Sequence, residues 1–155
     1  SPLGMCIKNG IIYGDYMTSY SVMAVKKDGT IYTPAQGLMG KNLLAAGVKD
    51  TYNFGPVLIK DGEAQLPWAE TEKYYPRTAV GMVKPNDYVL LVTDTGSYNG
   101  LNHWDMVSIF KSYGCTYAYN LDGGGSATLY FNGKVMNKLI GNTQRPCADF
   151  LYFTR

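Results

Sequence analysis

Short apolar runs broken by turn pairs recur along this chain. Asn9-Gly10 separates residues 5–8 from 11–13, Asp28-Gly29 separates 21–26 from 30–33, Asp61-Gly62 separates 57–59 from 63–65, and Asn132-Gly133 separates 128–131 from 134–136. An Asn-Gly or Asp-Gly pair accepts the left-handed backbone of a two-residue loop, so each site predicts a β-hairpin. Lys84-Pro85-Asn86-Asp87 joins 78–83 to 88–93 through a proline-led turn. Two stretches read as helix. The shorter is about 41–46, stopped by Gly47. In the longer, about 102–113, Asn102 is the expected N-cap and Asp105 reaches back to it. Leu101 and Met106 fall at the hydrophobic-staple positions, Leu101, Trp104, Val107 and Phe110 recur at threes on one face, and Gly114 ends the run.

The longer helix lies between two strand-like runs, 88–93 and 116–121. Strand, helix, strand predicts a right-handed crossover between parallel strands. Asp94 and the segment 120–126 then leave the sheet at the same edge, beyond the carboxyl ends where such sheets bind ligands. The expected fold is α+β: a strand-rich mixed sheet with several hairpins, one β-α-β crossover and one short helix, in a single domain over 1–155.

Composition narrows the chemistry. A length of 155 residues suits one domain with a real core. Tyrosine supplies 14 residues against 5 Phe and 2 Trp, which suits half-buried strands and, equally, sugar stacking. A net charge of +2 without a basic run argues against a nucleic-acid partner. Cys6, Cys115 and Cys147 form no CxxC pair, their odd number leaves at least one free, and a single histidine builds no zinc cluster. No cofactor or metal is expected. No apolar run reaches membrane-spanning length, and Ser1-Pro2-Leu3-Gly4 is not a signal peptide.

The most specific run is Asn120-Leu121-Asp122-Gly123-Gly124-Gly125-Ser126, with Thr128 just beyond. On a strand, Asn120 and Asp122 would face one side. Gly123, Gly124 and Gly125 would let a ligand approach the main chain and leave N–H groups for an anion-binding concavity. The plainer reading is a loose turn, although three glycines exceed what a two-residue turn needs. Arginine is scarce in a lysine-using chain. Arg77 and Arg145 therefore stand out as planar forks for phosphate or carboxylate, against the alternative of surface arginines beside prolines. His103 falls in the first helical turn and reads as structural, because Ser126 lacks the G-x-S-x-G elbow and no spacing supports a triad. Glu70 and Glu72 read as solvated, or as a second carboxylate. The Walker, G-x-G-x-x-G and calcium-loop patterns are absent.

Three segments together resemble the phosphodiester glycosidase family: Pro76-Arg77-Thr78-Ala79-Val80-Gly81, Val89-Leu90-Leu91-Val92-Thr93-Asp94, and the run from Gly114 to Thr128 around Asn120-Leu121-Asp122-Gly123-Gly124-Gly125-Ser126. Phe54-Gly55-Pro56-Val57-Leu58-Ile59-Lys60-Asp61-Gly62, the Asn132-to-Lys138 hairpin and Gln144-Arg145-Pro146 are similar to further family segments. The resemblance implies hydrolysis between a sugar's anomeric carbon and phosphate, in a sugar-1-phosphodiester or polysaccharide. It implies Asp122 first and Asp94 second as the carboxylate, and Arg77 and Arg145 against phosphate. Asn120, Gly123, Gly124, Gly125, Ser126 and Thr128 would hold the sugar. It also implies a bacterial, extracytoplasmic setting. Two departures stand out. The family's early Asn-Gly-Gly-aromatic segment is not in the chain, so the chain reads as the C-terminal majority of a domain whose N-terminal segment is a further partner. Asp94-Thr95-Gly96 also replaces the usual Asp-Gly-Arg. The rival expectation is a non-catalytic carbohydrate or sugar-phosphate binding module of a larger surface or phage-like protein.

Overall fold

The computed structural model describes residues 4–16, 18–65, 73–94 and 99–154. Among these residues twelve strands and two α-helices form: β1 (Cys6–Lys8), β2 (Ile11–Gly14), β3 (Ser21–Lys26), β4 (Ile31–Tyr32), α1 (Gly40–Ala45), β5 (Val48–Phe54), β6 (Val57–Lys60), β7 (Glu63–Ala64), β8 (Thr78–Lys84), β9 (Asp87–Val92), α2 (His103–Ser112), β10 (Tyr117–Asn120), β11 (Tyr130–Phe131) and β12 (Lys134–Val135). The fold is α+β, and every predicted hairpin forms. At three turns both residues are left-handed: Asn9 and Gly10, Asp61 and Gly62, Asn132 and Gly133.

A five-stranded sheet in the order β7-β6-β10-β8-β9 forms the centre. Its two middle strands, β10 and β8, are buried on both faces because each face packs on a different layer. On one face, Met106, Val107 and Phe110 of α2 pack on Leu58, Ile59, Ala79 and Ala118. Gly81 makes this approach possible, since a Cβ there would lie 2.5 Å from Phe110 Cδ1 and 2.7 Å from Cys115 Sγ. On the other face, Val80, Met82, Tyr117 and Tyr119 meet Met23 and Ile31 of a three-stranded sheet, β4-β3-β5. The period of two then turns Val22 and Ala24 outward, against Met5, Ile7, Leu43 and Val48.

Two readings are refined. The strands joined by α2 run parallel, but β8 lies between them and pairs antiparallel with both. Helix α2 buries His103, Met106, Val107 and Phe110, whereas Trp104 is 43% exposed. Repeated steps of three drift around a helix of 3.6 residues per turn, so the core-facing stripe falls instead at a first position and those three, four and seven residues on. Its cap is as expected: Asn102 Oδ1 accepts from Asp105 N–H at 2.8 Å, and Asp105 Oδ2 accepts from Asn102 N–H at 3.4 Å. Such a cap contributes about 1 kcal/mol.

Candidate active site

Strand β10 carries the glycine run out of the core. Leu121 N–H donates to Thr78 O at 2.8 Å, the last rung before the chain turns. Asn120 is 1% exposed, and its Nδ2 donates to Gly55 O at 2.8 Å. Its carboxamide therefore belongs to the junction between β10 and the Gly55-Pro56 corner. Asp122, two residues on, is exposed. The strand ends at Asn120, so the same-side rule stops applying between the two.

Asp122 gathers three donors. Its Oδ1 accepts from Gly123 N–H at 2.8 Å. Its Oδ2 accepts from Ser126 Oγ–H at 2.8 Å and from Arg145 Nη2 at 2.7 Å. Both partners of this ion pair are about half exposed, at 56% for Arg145 and 47% for Asp122. Gly125 lies against the same arginine: a Cβ there would sit 3.7 Å from Arg145 Cδ. Residues 124–126 form one 3₁₀ turn, and Thr128 is half-buried just after it.

The glycines have a concrete packing reason. At Gly123 a Cβ would meet Pro76 O at 2.5 Å and Arg77 Cα at 3.5 Å. Gly124, left-handed at φ 57°, donates its N–H to Pro76 O at 2.8 Å. The N–H groups of Gly123 and Gly124 are thus engaged by Asp122 and Pro76 and dock the loop on the chain entering β8. Arg77 lies at this junction. Its main chain exchanges bonds with Thr93, through Arg77 N–H to Thr93 Oγ1 at 3.0 Å and Thr93 N–H to Arg77 O at 2.9 Å. Its guanidinium donates to Leu101 O at 3.1 Å and Lys73 O at 3.0 Å and lies 5.3 Å from the Tyr75 ring centroid.

Asp94 follows β9 at the same sheet edge as the loop after β10. Its Oδ2 accepts from Lys138 N–H at 2.7 Å. It lines an open cleft of ≈ 780 Å³ with Tyr74, Val92, Thr93, Gly100, Leu101, Asp105, Ser108, Ile109, Leu129, Met136 and Asn137. Asp122, Arg77 and Arg145 are not among these described lining residues. His103 is buried in the first turn of α2, and Ser126 directs its hydroxyl to Asp122. Glu70 and Glu72 lie outside the described residues.

Asn137 has a part that sequence reasoning did not assign. Its Oδ1 accepts from Leu129 N–H at 2.7 Å and its Nδ2 donates to Ala127 O at 2.9 Å, closing the base of the β11–β12 hairpin. An asparagine just past a hairpin was its local signal. Among the described residues no three His, Cys, Asp or Glu side chains gather as a metal site, and no helix is long and apolar enough to cross a membrane. Burial raises the Tyr117 and Tyr119 phenols, on the strand leading to the loop, well above their ordinary 10.0.

The family model for phosphodiester glycosidases matches residues 1–154. The SPbeta prophage-derived uncharacterized protein YomE of Bacillus subtilis (strain 168) is 31% identical over 160 residues, 96% of this chain and 25% of that protein. The N-acetylglucosamine-1-phosphodiester alpha-N-acetylglucosaminidase of Mus musculus is 28% identical over 156 residues, covering 84% of this chain and 29% of that protein. This chain therefore spans between a quarter and a third of these curated relatives. The catalytic domain of the zebrafish N-acetylglucosamine-1-phosphodiester alpha-N-acetylglucosaminidase, auto-inhibited by its pro-peptide, superposes with a TM-score of 0.72 at 23% identity. That match covers 90% of this chain and 51% of the zebrafish chain, and it carries the fold.

Proposed function

Because the chain belongs to the phosphodiester glycosidase family, we propose that it hydrolyses the bond between an anomeric carbon and a phosphate oxygen in a sugar-1-phosphodiester, with an N-acetylhexosamine-like sugar. The observation that carries this reading is the exposed Asp122 carboxylate held 2.7 Å from the Arg145 guanidinium at the end of the central strand. A guanidinium there matches the charge that grows on a departing phosphate. A carboxylate there matches the positive character that grows on the anomeric carbon.

In the reaction, the C1–O bond breaks and its electron pair leaves with the phosphate monoester. A water oxygen forms the new bond to C1, and its proton passes to solvent or to a carboxylate. Phosphate leaves readily without strong acid help, which suits a site whose machinery includes no histidine. Asp122 is the first choice of carboxylate and Asp94 the second. Arg145 meets the phosphate. Arg77, bonded to main-chain carbonyls, holds the loop docking surface and is the second guanidinium. Ser126, Thr128 and Gly125 offer groups to the sugar, while Asn120, Gly123 and Gly124 act through the position they give Asp122. A bacterial, extracytoplasmic setting belongs to the same reading.

Incubation with methyl-phospho-N-acetylglucosamine is expected to release free N-acetylglucosamine. No release by a chain that binds the diester would reject hydrolysis. It would favour the second reading, a non-catalytic sugar-phosphate binding module of a larger phage-like protein. The prophage-derived relative, of which this chain covers 25%, supports the larger phage-like setting of that alternative.

A further inference from the structure

We infer that the cleft beside Asp94 and the β11–β12 hairpin hold an apolar, uncharged chain alcohol as the group esterified to the substrate's phosphate. This rests on the phosphodiester glycosidase reading and adds the chemistry of the leaving side.

Much of the cleft wall is Tyr74, Val92, Leu101, Ile109, Leu129 and Met136. Its polar groups are largely engaged within the fold. Asp105 accepts from Asn102 N–H, Asp94 accepts from Lys138 N–H, Ser108 Oγ–H donates to Trp104 O, and the Asn137 amide closes the hairpin. A second sugar would need uncommitted donors and acceptors, which the described lining residues offer sparsely. A nucleoside diphosphate would bring negative charge against Asp94 and Asp105, and no Lys or Arg stands among the described lining residues. Apolar, uncharged matter suits what remains.

The hairpin extends that wall outward. Met136 N–H donates to Leu129 O at 2.8 Å, which sets these two lining residues opposite each other. Two positions further, Phe131 pairs with Lys134. A period of two places Phe131 on the same face as Leu129. Phe131 is 66% exposed and Met136 55%, so large apolar side chains continue outward from Leu129 along this face of the hairpin. Lys134, paired with Phe131, shares that face and borders the track outside the described cleft lining. A chain alcohol bound there would run from the phosphate along this track.

The test uses the full chain and three α-N-acetylglucosamine 1-phosphodiesters: methyl, hexyl and UDP-N-acetylglucosamine. The hexyl diester should show a KM about tenfold below the methyl diester, from partial burial of its methylenes, with UDP-N-acetylglucosamine the poorest of the three. Met136→Glu, at an exposed position, should remove the hexyl advantage, bringing the hexyl and methyl KM values together. The same ligands are titrated into Asp122→Asn by calorimetry, so that binding is read without turnover. Hydrolysis of all three diesters with equal KM, or preference for the nucleotide, overturns this inference and spares the proposed reaction. Tighter hexyl binding with no hydrolysis by the parent chain overturns the reaction and spares the apolar subsite. Equal binding of all three, or none, overturns the subsite whatever the turnover.

Discussion

Arg77 and Arg145 each sit beside a proline and belong to opposite kinds of structure. Arg77 enters β8, a strand buried over most of its length, and its guanidinium donates to two main-chain carbonyls. Arg145 lies in a segment exposed from Gly141 to Phe150 and reaches back to an exposed carboxylate. The difference separates anchoring from availability. Charge-assisted bonds to fixed carbonyls hold a loop junction together, each contributing about 1 kcal/mol where solvent reaches them. A half-exposed ion pair contributes about 0–1 kcal/mol to stability, so the Arg145 guanidinium can leave Asp122 at little cost to the fold.

The contrast is most sharply tested at Asp122 itself. Asp122→Asn keeps the shape and removes the charge. Its kcat on methyl-phospho-N-acetylglucosamine should fall by about 10³-fold or more, while Tm stays within about 2 °C of the parent. Near-normal hydrolysis would move the carboxylate's role to Asp94. Next in size is the anchored side. At Gly100, φ is 94° and a Cβ would lie 1.8 Å from Tyr75 O, beside the Leu101 carbonyl that holds Arg77. Gly100→Ala should cost about 3 kcal/mol in urea unfolding, and a loss under about 0.5 kcal/mol would show that this corner yields.

Arg77→Ala should cost about 2 kcal/mol through two orphaned carbonyls. Arg145→Ala should change stability by no more than about 0.5 kcal/mol and raise KM for the methyl diester about tenfold. Equal destabilisation by the two variants would erase the contrast.

A smaller effect lies at high pH. Burial raises the Tyr119 phenol above its ordinary 10.0, although the bond from Phe54 N–H opposes this. Below pH 10 both folded and unfolded chains keep that proton, so stability is full. As pH rises toward the raised folded value, only the unfolded chain ionises, and stability falls by up to about 1.4 kcal/mol per pH unit for each such phenol. Tyr119→Phe should flatten this alkaline decline in Tm. It should also lower the plateau by about 1 kcal/mol, because Tyr119 OH accepts from Phe54 N–H at 2.9 Å and donates to Ser21 O at 2.6 Å. An unchanged alkaline slope would assign the decline to other phenols.

The amino-acid order alone specified the local pieces. The hairpins at Asn9-Gly10, Asp61-Gly62 and Asn132-Gly133 form because few residues accept that backbone. The Asn102 cap and its Asp105 partner are likewise set within one helical turn. These are short-range constraints, and no distant contact is needed to state them. Strand order was different. β8 inserts between β9 and β10, and long-range pairing decides that. The orientation of Trp104 depended on which stripe of α2 met Leu58 and Ala118.

The candidate site divides in the same way. The run around Asp122 announced itself through its glycines, yet the need for Gly123 comes from Pro76 O, forty-seven positions earlier in the chain. Whether Asn120 faces solvent or the Gly55 carbonyl, and whether an arginine grips main chain or carboxylate, is settled by neighbours that the fold brings from elsewhere. Backbone preference acts over a few residues, whereas the partner of a donor is chosen by packing across the whole molecule. The residue types of the site were therefore readable in order along the chain, and their division of labour emerged only once the sheet had assembled.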